Sequence, residues 1–274
     1  MDSNNIIGIK AGSSVFGDEQ SYASVARLIA PLTRSYNHIF FVVSAVKGAT
    51  DQTIDTIARE TGEDYQVSLN ELNRALRGDG VPYTGRFNNS DIAARLVQPE
   101  GRSVENLVRE LHKLGVNAVG IEHGQEYPLV GTDNSQYLYA TPDMTASIAQ
   151  RPDYDAQVVV VPGFGVRSPN GEVMCTGRGS SDLTLTQFGE VYGLPEVIYW
   201  KGTDNEGRPV GGFRRNSDNP EEGIFDEMDN ELARKLGGKI LDARVYDFAG
   251  KIRITLPGRV DGGTLIYPPL KRAA

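Results

Sequence analysis

Cysteine is nearly absent from this chain of 274 residues, which contains only Cys175. A single cysteine excludes an internal disulfide, and this usage fits a protein of a reducing compartment. A nucleophilic role for Cys175 is one alternative, but a small buried cysteine is much more common. We therefore expect Cys175 to belong to the core.

Histidine is scarce as well, and its positions show no metal-binding spacing: His38, His112 and His123. The sequence contains no Ser-His-Asp arrangement, no Walker A motif and no zinc pattern. His123 falls in a loop directly before Gly124; from there it could reach a site, but a solvated loop histidine is more common, and we expect that here. The usual signatures of zinc chemistry and of serine-type hydrolysis are therefore missing.

Long apolar runs and an excess of basic residues are also lacking. No apolar run approaches the roughly 20 residues of a membrane helix, and the N-terminus lacks the basic and apolar regions of a signal peptide. The net charge is −8 and the isoelectric point about 5.0, which argues against nucleic acid as the main partner. We predict a cytoplasmic protein that acts on a small molecule, with neither membrane nor nucleic acid as a partner.

The chain does contain short apolar runs with the composition of buried strands: Ile6–Ile9, Ile39–Val43, Ala118–Ile121, Val158–Val161, Val197–Trp200 and Ile252–Leu256. Because they are nearly continuous rather than alternating, they favour a parallel sheet covered on both faces. Helical patterns between them give a β–α–β–α rhythm, which predicts an α/β sandwich.

Two of the helical patterns have clear boundaries. The stripe beginning at Val25 meets Pro31, which should end or kink that helix. A second stripe, Val104–Leu111, has Ser103 as its predicted N-cap and Gly115 just past its end. Farther along, the stretch Asp204–Gly223 is rich in Gly, Asn, Pro and charge, and it predicts a long functional loop.

Polar clusters follow four of the predicted strands: Lys10–Ser14, Ser44–Asp51, Pro162–Gly165 and Lys201–Asp204. In open α/β sheets, ligands bind at the carboxyl ends of the strands. One edge of the predicted sheet therefore gathers Gly, Ser, Lys and Asp side chains, and we place the site there.

The most distinctive stretch is Cys175–Asp182, which is small and polar and precedes a helical pattern. Small residues let backbone N–H groups approach an anion, and a helix N-terminus adds a favourable field. Arg178 can bind a carboxylate or phosphate with two hydrogen bonds, and Asp182 can hold a metal or orient a cationic group. The combination indicates that phosphate and carboxylate are handled together.

The ordered set of motifs resembles the amino acid kinase family, closest to the catalytic domain of aspartokinases, over nearly the whole chain. The matching segments are Ile9–Ser14 (the opening lysine–glycine motif), Val42–Ala45 with Thr50 and Asp51 (second strand and loop), Pro99–Ser103 (expected just before a helix), Gly177–Asp182 (similar to Gly-Arg-Gly-Gly-Ser-Asp), Trp200–Asp204 (the nucleotide loop) and Gly238–Leu241.

Several residues depart from the aspartokinase pattern. Gly202 replaces the first aspartate of the nucleotide loop, and the family's later Asp-Pro-Arg is absent, with Arg214 or Arg215 as candidate substitutes. Ala11 and Ser13 stand where aspartokinases usually have Phe and Gly. The regulatory ACT domains that normally follow are not in this sequence, so we expect no feedback inhibition through such domains.

The resemblance implies a three-layer α/β/α sandwich with a mainly parallel central sheet, as a single domain over residues 1–274. Residues 1–166 would form the amino acid lobe and residues 167–274 the nucleotide lobe. The implied enzyme uses ATP and Mg²⁺ to phosphorylate a carboxylate of aspartate or a related amino acid, giving an acyl phosphate. A homodimer is expected from the same resemblance.

The resemblance also assigns roles to individual residues. Lys10 would neutralise the transferring phosphoryl group, and Asp182 would organise the catalytic lysines or the magnesium shell. Arg178 would bind the substrate carboxylate and Glu100 its ammonium group, with further substrate contacts from Ser44, Thr50 and Ser181. The expected nucleotide contacts are Gly12, Ser13, Ser14, Lys201, Asp204 and Lys239. No all-protein metal site is expected, because Mg²⁺ keeps waters and takes few protein ligands.

The sequence is compatible with two other functions. The acyl phosphate could be captured by an internal or external amine, giving an amide or lactam in a specialised pathway. Alternatively, the chain could be a non-catalytic amino acid kinase fold used for binding or storage, an interpretation motivated by Gly202 and the missing Asp-Pro-Arg. A fold alone cannot separate these functions.

Overall fold

The computed structural model describes residues 5–78, 82–124, 126–132, 135–204, 207–215, 223–236 and 240–268. Its strands are β1 (Ile6–Ala11), β2 (His38–Val43), β3 (Ala118–Gly120), β4 (Val130–Gly131), β5 (Pro142–Asp143), β6 (Val158–Pro162), β7 (Gly165–Arg167), β8 (Val173–Cys175), β9 (Glu196–Trp200), β10 (Glu227–Asp229), β11 (Lys251–Thr255) and β12 (Thr264–Tyr267). Its helices are α1 (Ser21–Ile29), α2 (Ala49–Glu60), α3 (Tyr65–Arg77), α4 (Ser90–Lys113), α5 (Met144–Ala149), α6 (Ser181–Tyr192) and α7 (Asn230–Leu236).

The main sheet has eight strands in the order β10-β12-β11-β9-β1-β2-β6-β3. Neighbouring strands are parallel throughout, except for the antiparallel pair β11 and β12. All six apolar runs became strands of this sheet, so the prediction of a mainly parallel sheet is confirmed. A smaller sheet of order β5-β4-β7-β8 lies beside it.

The side chains of β2 alternate between two cores, which shows that the main sheet is covered on both faces. Phe40 and Val42 belong to one cluster together with Phe188 of α6. Phe41 and Val43 face the opposite cluster, which contains Leu107 of α4 and residues of α1. Full burial of each such side chain stabilises the fold by about 1.5–3 kcal/mol. The three-layer α/β/α arrangement predicted from the sequence is confirmed.

Helix α4 is longer than the sequence pattern indicated, and the predicted cap at Ser103 is wrong. The helix starts after Asn89, whose side chain accepts a hydrogen bond from the Ile92 amide at 3.0 Å, and it continues through Pro99. Ser103 is buried, and its hydroxyl bonds the Tyr22 hydroxyl at 2.8 Å. The proline and the polar residues around it masked the continuity of the helix. The segment Pro99–Ser103 therefore lies within a helix rather than just before one.

The end of α1 and the loop that follows β9 agree with the prediction. Helix α1 ends at Ile29, and a 3₁₀ turn containing Pro31 follows it. The described parts of Asp204–Gly223 contain neither helix nor strand, as expected for a loop. Within the described ranges, no helix is both long enough and apolar enough to cross a bilayer.

Candidate active site

A cleft of about 400 Å³ opens at the carboxyl ends of the central strands β1, β2 and β9. It collects most of the predicted site residues, which the parallel arrangement brings to one edge of the sheet. Those that line it are Lys10, Gly12, Ser13, Ser14, Ser44, Thr50, Glu100, Arg178, Ser181, Asp182 and Lys201. Residues from β1, β2, α4, α6 and β9 therefore meet although they are far apart in sequence.

Two lysines share one carboxylate at the base of this cleft. The Nζ atom of Lys10 lies 2.6 Å from Oδ1 of Asp182, and the Nζ atom of Lys201 lies 3.3 Å from Oδ2. Lys10 is the next-to-last residue of β1, Lys201 follows β9, and Asp182 lies in the first turn of α6. Since β1 and β9 are adjacent, the two lysines stand side by side with Asp182 between them.

The electrostatics of Lys10, Lys201 and Asp182 favour two charged ammonium groups around one ionised carboxylate. Burial alone would raise the pKa of Asp182, but the charges of Lys10 and Lys201 outweigh it and hold that pKa below its ordinary value. Burial lowers the pKa of Lys201; Asp182 opposes this shift, and the charge of Lys10 adds to it. The result is a concentrated positive charge in a mostly buried cleft, which suits an anionic ligand.

Glu100 approaches the cleft from the middle of α4, and it is 3% exposed. Its Oε1 accepts a hydrogen bond from the Ser181 hydroxyl at 2.9 Å. Its Oε2 is buried without a well-formed hydrogen bond to any described residue. Burial raises the pKa of Glu100 to about 7, although the Ser181 hydroxyl and Lys10 favour the charged form. A cationic donor in the cleft would satisfy Oε2 and stabilise the ionised carboxylate.

The raised pKa of Glu100 predicts how stability depends on pH. The native state holds this proton between the ordinary pKa of 4.5 and about 7, whereas the unfolded chain releases it. The stabilising contribution is complete below pH 4.5 and is lost as the pH rises through about 7. In Glu100→Gln this loss cannot occur. We therefore expect the free energy of unfolding of the variant, relative to wild type, to rise by up to about 3 kcal/mol between pH 5 and 8.

Urea unfolding of both proteins across that range measures the effect. The matched control is Glu105→Gln, which removes an exposed carboxylate from the same helix. A difference between Glu100→Gln and wild type that stays constant from pH 5 to 8 would contradict the assignment of a buried, protonated Glu100.

Arg178 stands at the edge of the cleft, where two neighbours hold its guanidinium. The Asp51 carboxylate of α2 accepts a hydrogen bond from Nη2, and Asn73 Oδ1 of α3 accepts one from Nη1 at 3.0 Å. The Arg178 amide donates to the Leu76 carbonyl at 2.9 Å. The side chain remains 43% exposed, so its orientation is fixed while part of its donor edge is open to a ligand.

The loop after β1 and the loop after β9 pack closely against each other. A Cβ atom on Gly202 would lie 2.1 Å from the carbonyl oxygen of Ser14, and the Gly202 amide donates to Ser14 Oγ at 3.2 Å. The aspartate found in aspartokinases at this position would not fit here without a shift of the loop. Glycine at position 202 is thus explained by packing.

This close approach predicts that Gly202→Ala lowers the free energy of unfolding by about 1–3 kcal/mol, because the backbone of one loop must move. Gly17→Ala is the control, since a Cβ there meets nothing within 4 Å. Chemical denaturation of both variants measures the difference. Equal stabilities for the two would show that the loops yield without cost.

Two predicted nucleotide-binding residues are not placed in the cleft. Asp204 does not line it, and its carboxylate accepts hydrogen bonds at 3.0 Å from Arg208 and from Arg214. Asp204 therefore organises the loop that follows β9. Lys239 lies outside the described residues, and its predicted role stays a prediction.

A magnesium ion bound directly by Asp182 does not fit this arrangement. Both carboxylate oxygens already bond lysine ammonium groups, and the described parts of the chain hold no group of three His, Cys, Asp or Glu side chains suited to a metal. Of the two roles predicted for Asp182, the geometry favours organising the lysines.

Sequence reasoning missed two partners that shape the site. The resemblance includes Asp51 in a motif without assigning it a role, and it does not include Asn73. Both side chains nevertheless bind Arg178. The position of Asp51 beside Thr50, at the start of α2, was an available signal. Asn73 gave no such signal, because only the packing of α3 against the loop after β8 brings it near.

The sequence is similar to those of known proteins. A family model, that of the amino acid kinase family, matches residues 5–205. An aspartate kinase of Stutzerimonas stutzeri is 28% identical over 251 residues, covering 90% of this chain and 53% of that protein. One of Pseudomonas fluorescens is 27% identical over 252 residues, covering 90% and 54%. The chain spans about half the length of these curated relatives.

Solved structures share the fold. Aspartate kinase from Synechocystis superposes with a TM-score of 0.70 at 18% identity, covering 98% of this chain and 40% of that one. Aspartokinase III from E. coli, in complex with aspartate and ADP, gives 0.68 at 16%, covering 97% and 65%. Carbamate kinase from Giardia lamblia, bound to AMP-PNP, gives 0.61 at 10%, covering 98% and 100%.

Proposed function

This chain belongs to the amino acid kinase family, and we propose that it transfers the γ-phosphoryl group of ATP to a carboxylate of aspartate or a close analogue. The observation that carries this proposal is the trio of Lys10, Asp182 and Lys201 in one cleft with Arg178 and Glu100. The trio suits a polyphosphate, and the other two residues suit an amino acid. The nucleotides held by two of the similar structures support the choice of ATP.

In the proposed reaction, a carboxylate oxygen of the substrate forms a bond to the γ-phosphorus. The bond between that phosphorus and the β–γ bridging oxygen breaks, and ADP leaves with the electron pair. The acceptor is already ionised, so no proton has to be removed and no general base is needed. Catalysis then depends on position and on charge stabilisation.

In this proposal, different residues stabilise the transferring group and bind the amino acid. Lys10 and Lys201 stabilise negative charge on the transferring group, and Asp182 keeps both ammonium groups in place. Arg178 binds a carboxylate of the substrate through its open donor edge. Glu100 accepts from the substrate ammonium, which also satisfies its buried Oε2. A ligand bearing both charges is therefore held at two points beside the lysines.

The test is a substrate panel with hydroxylamine as a trap. Purified protein is incubated with ATP, Mg²⁺, hydroxylamine and single amino acids or their N-acylated forms, and hydroxamate and ADP are measured. We expect equal amounts of the two with aspartate or a close analogue. Neither hydroxamate nor ADP with any member of the panel would contradict the kinase proposal. Mass spectrometry of a reaction without hydroxylamine distinguishes free acyl phosphate from an amide or lactam.

A further inference from the structure

The turn between β6 and β7, residues Pro162–Gly165, contains a strained residue, Phe164, which lines the cleft. Phe164 has a φ of +71°, and among the described residues it is the one non-glycine with a positive φ. An aromatic residue in this region is disfavoured, and such strain persists only where the surroundings fix the backbone. Neighbouring groups must therefore hold the backbone of this turn in place.

Hydrogen bonds to three neighbouring elements hold part of this turn in place. The Phe164 amide donates to Thr184 Oγ1 at 3.3 Å, and the Phe164 carbonyl accepts from the Thr176 amide at 3.1 Å. The Gly163 amide donates to the Val43 carbonyl at 3.1 Å. These bonds join the turn to α6, to the loop after β8 and to β2.

His123 supports the same turn from behind. Its ring lies against Gly165, where an added Cβ would be only 2.4 Å from the imidazole, and it packs against Tyr127 with 4.7 Å between ring centroids. The Tyr127 hydroxyl donates to the Pro162 carbonyl at 2.7 Å. His123 is partly exposed, but its Nε2 edge is buried, so the prediction of a solvated ring is wrong for that edge, which packs beneath the turn.

The Gly163 backbone lies beside the imidazole as a polar group that favours the charged ring. Burial lowers the pKa of His123 to about 3, which keeps the ring neutral with a single N–H donor. Nε2 is buried and has no hydrogen-bond partner among the described residues. The ring is therefore neutral and packs between Gly165 and Tyr127, with the Gly163 backbone as a polar neighbour.

The turn is in direct contact with the substrate-facing residues. A Cβ on Gly163 would be 2.6 Å from the Cβ of Ser181, so the two backbones are closely packed. Ser181 in turn donates to Glu100, and the Gly163 backbone also favours the ionised form of that carboxylate. A movement of Gly163 would therefore displace both Ser181 and Glu100.

We propose that His123 is a positioning residue, which holds the Pro162–Gly165 turn so that Glu100 and Ser181 face the amino acid substrate. The role in substrate binding rests on the function proposed above, whereas the support of the turn does not. His123 itself does not line the cleft. It acts through its packing against Gly165 and Tyr127, with a polar contact to the Gly163 backbone beside it.

Two variants separate the polar contact with the Gly163 backbone from the volume of the ring. His123→Asn keeps a polar group beside that backbone, whereas His123→Leu fills the space with an apolar side chain. The matched control is His38→Leu, which also removes an imidazole near a backbone carbonyl, that of Ala156, at 3.2 Å. His38 starts β2, at the end of the sheet opposite the cleft.

The first measurement is backbone amide hydrogen exchange, which needs no activity. In His123→Leu we expect the Gly163, Phe164 and Thr176 amides to exchange at least about tenfold faster than in wild type, through local opening. The Ile121 amide, which bonds Val160, should stay unchanged, as should all of these amides in His123→Asn and His38→Leu. Unchanged exchange in His123→Leu, or an equal rise at Ile121, would overturn the support of the turn.

The second measurement is steady-state kinetics with the substrate that the panel identifies. His123→Leu should raise the KM for the amino acid about tenfold with a smaller change in kcat and an unchanged KM for ATP, and His123→Asn should restore most of the loss. Equal changes in both KM values would overturn the positioning role. If no panel member reacts, the proposed function fails, and the exchange data still decide whether His123 holds the turn.

Discussion

Replacing Lys10 with methionine is expected to lower kcat about a thousandfold. Lys10 is 5% exposed and lies 2.6 Å from Asp182, so water cannot readily replace its ammonium group beside the transferring phosphoryl. The methionine keeps the buried stem of the side chain but carries no charge. Because the loss arises in the transition state, the KM for the amino acid should change by less than about threefold. Steady-state kinetics with both substrates measure this.

The control for this variant is Lys47→Met, an exposed lysine on the loop after β2 that does not line the cleft. It should keep the wild-type kcat. Unfolding midpoints of both variants establish that they are folded. A folded Lys10→Met variant with more than about a tenth of the wild-type kcat would show that Lys10 does not stabilise the transition state.

Asp182→Asn provides a further check on the same trio. If Asp182 acts by holding the two lysines, its removal from the Lys10→Met background should cost much less than its removal from wild type. Residues that act as one unit show this non-additivity. Fully additive losses would assign Asp182 a role that is independent of Lys10.

Arg178→Lys is expected to raise the KM for the amino acid about 10- to 100-fold while the KM for ATP stays within about twofold. A lysine keeps the charge but cannot form the paired hydrogen bonds of a guanidinium, which are among the stronger contacts to a carboxylate. It also loses the simultaneous contacts to Asp51 and Asn73 that fix the orientation of Arg178.

Arg77→Lys is the matched control, because Arg77 is an exposed residue at the end of α3, close to Asn73 in sequence. It should leave both KM values unchanged. Comparable increases in the two KM values for Arg178→Lys would place Arg178 between the substrates, or in a structural role, and would contradict its assignment to the carboxylate.

The sequence was a good guide to the sheet, because its strands are nearly continuous apolar runs. Val158–Pro162 is buried at every position, and such a run has few alternatives to a central parallel strand. The extent of α4 was harder to predict. Pro99 and the buried Glu100 interrupt the apolar pattern, and only packing against neighbouring elements explains how a helix continues through them.

The site could be predicted where its residues lie in short motifs at strand ends. Lys10 lies one residue before the end of a strand, and Ser44 and Lys201 each follow one, so parallel topology alone brings them together. Contacts between side chains on different elements were not predictable in this way. Asn73 reaches Arg178 from α3, and His123 supports a turn some 40 residues farther along the chain. No local pattern encodes such pairs.

The most direct test of carboxylate phosphorylation follows the oxygen atoms. The amino acid substrate is labelled with ¹⁸O in its carboxylates and converted with ATP and hydroxylamine, and the released inorganic phosphate is analysed by mass spectrometry. Attack of the carboxylate on phosphorus, followed by attack of hydroxylamine on the carbonyl carbon, leaves a single substrate oxygen in each phosphate. We expect ¹⁸O-labelled phosphate in an amount equal to the ADP formed. Unlabelled phosphate in that amount would mean that water is the acceptor and would contradict the proposed function.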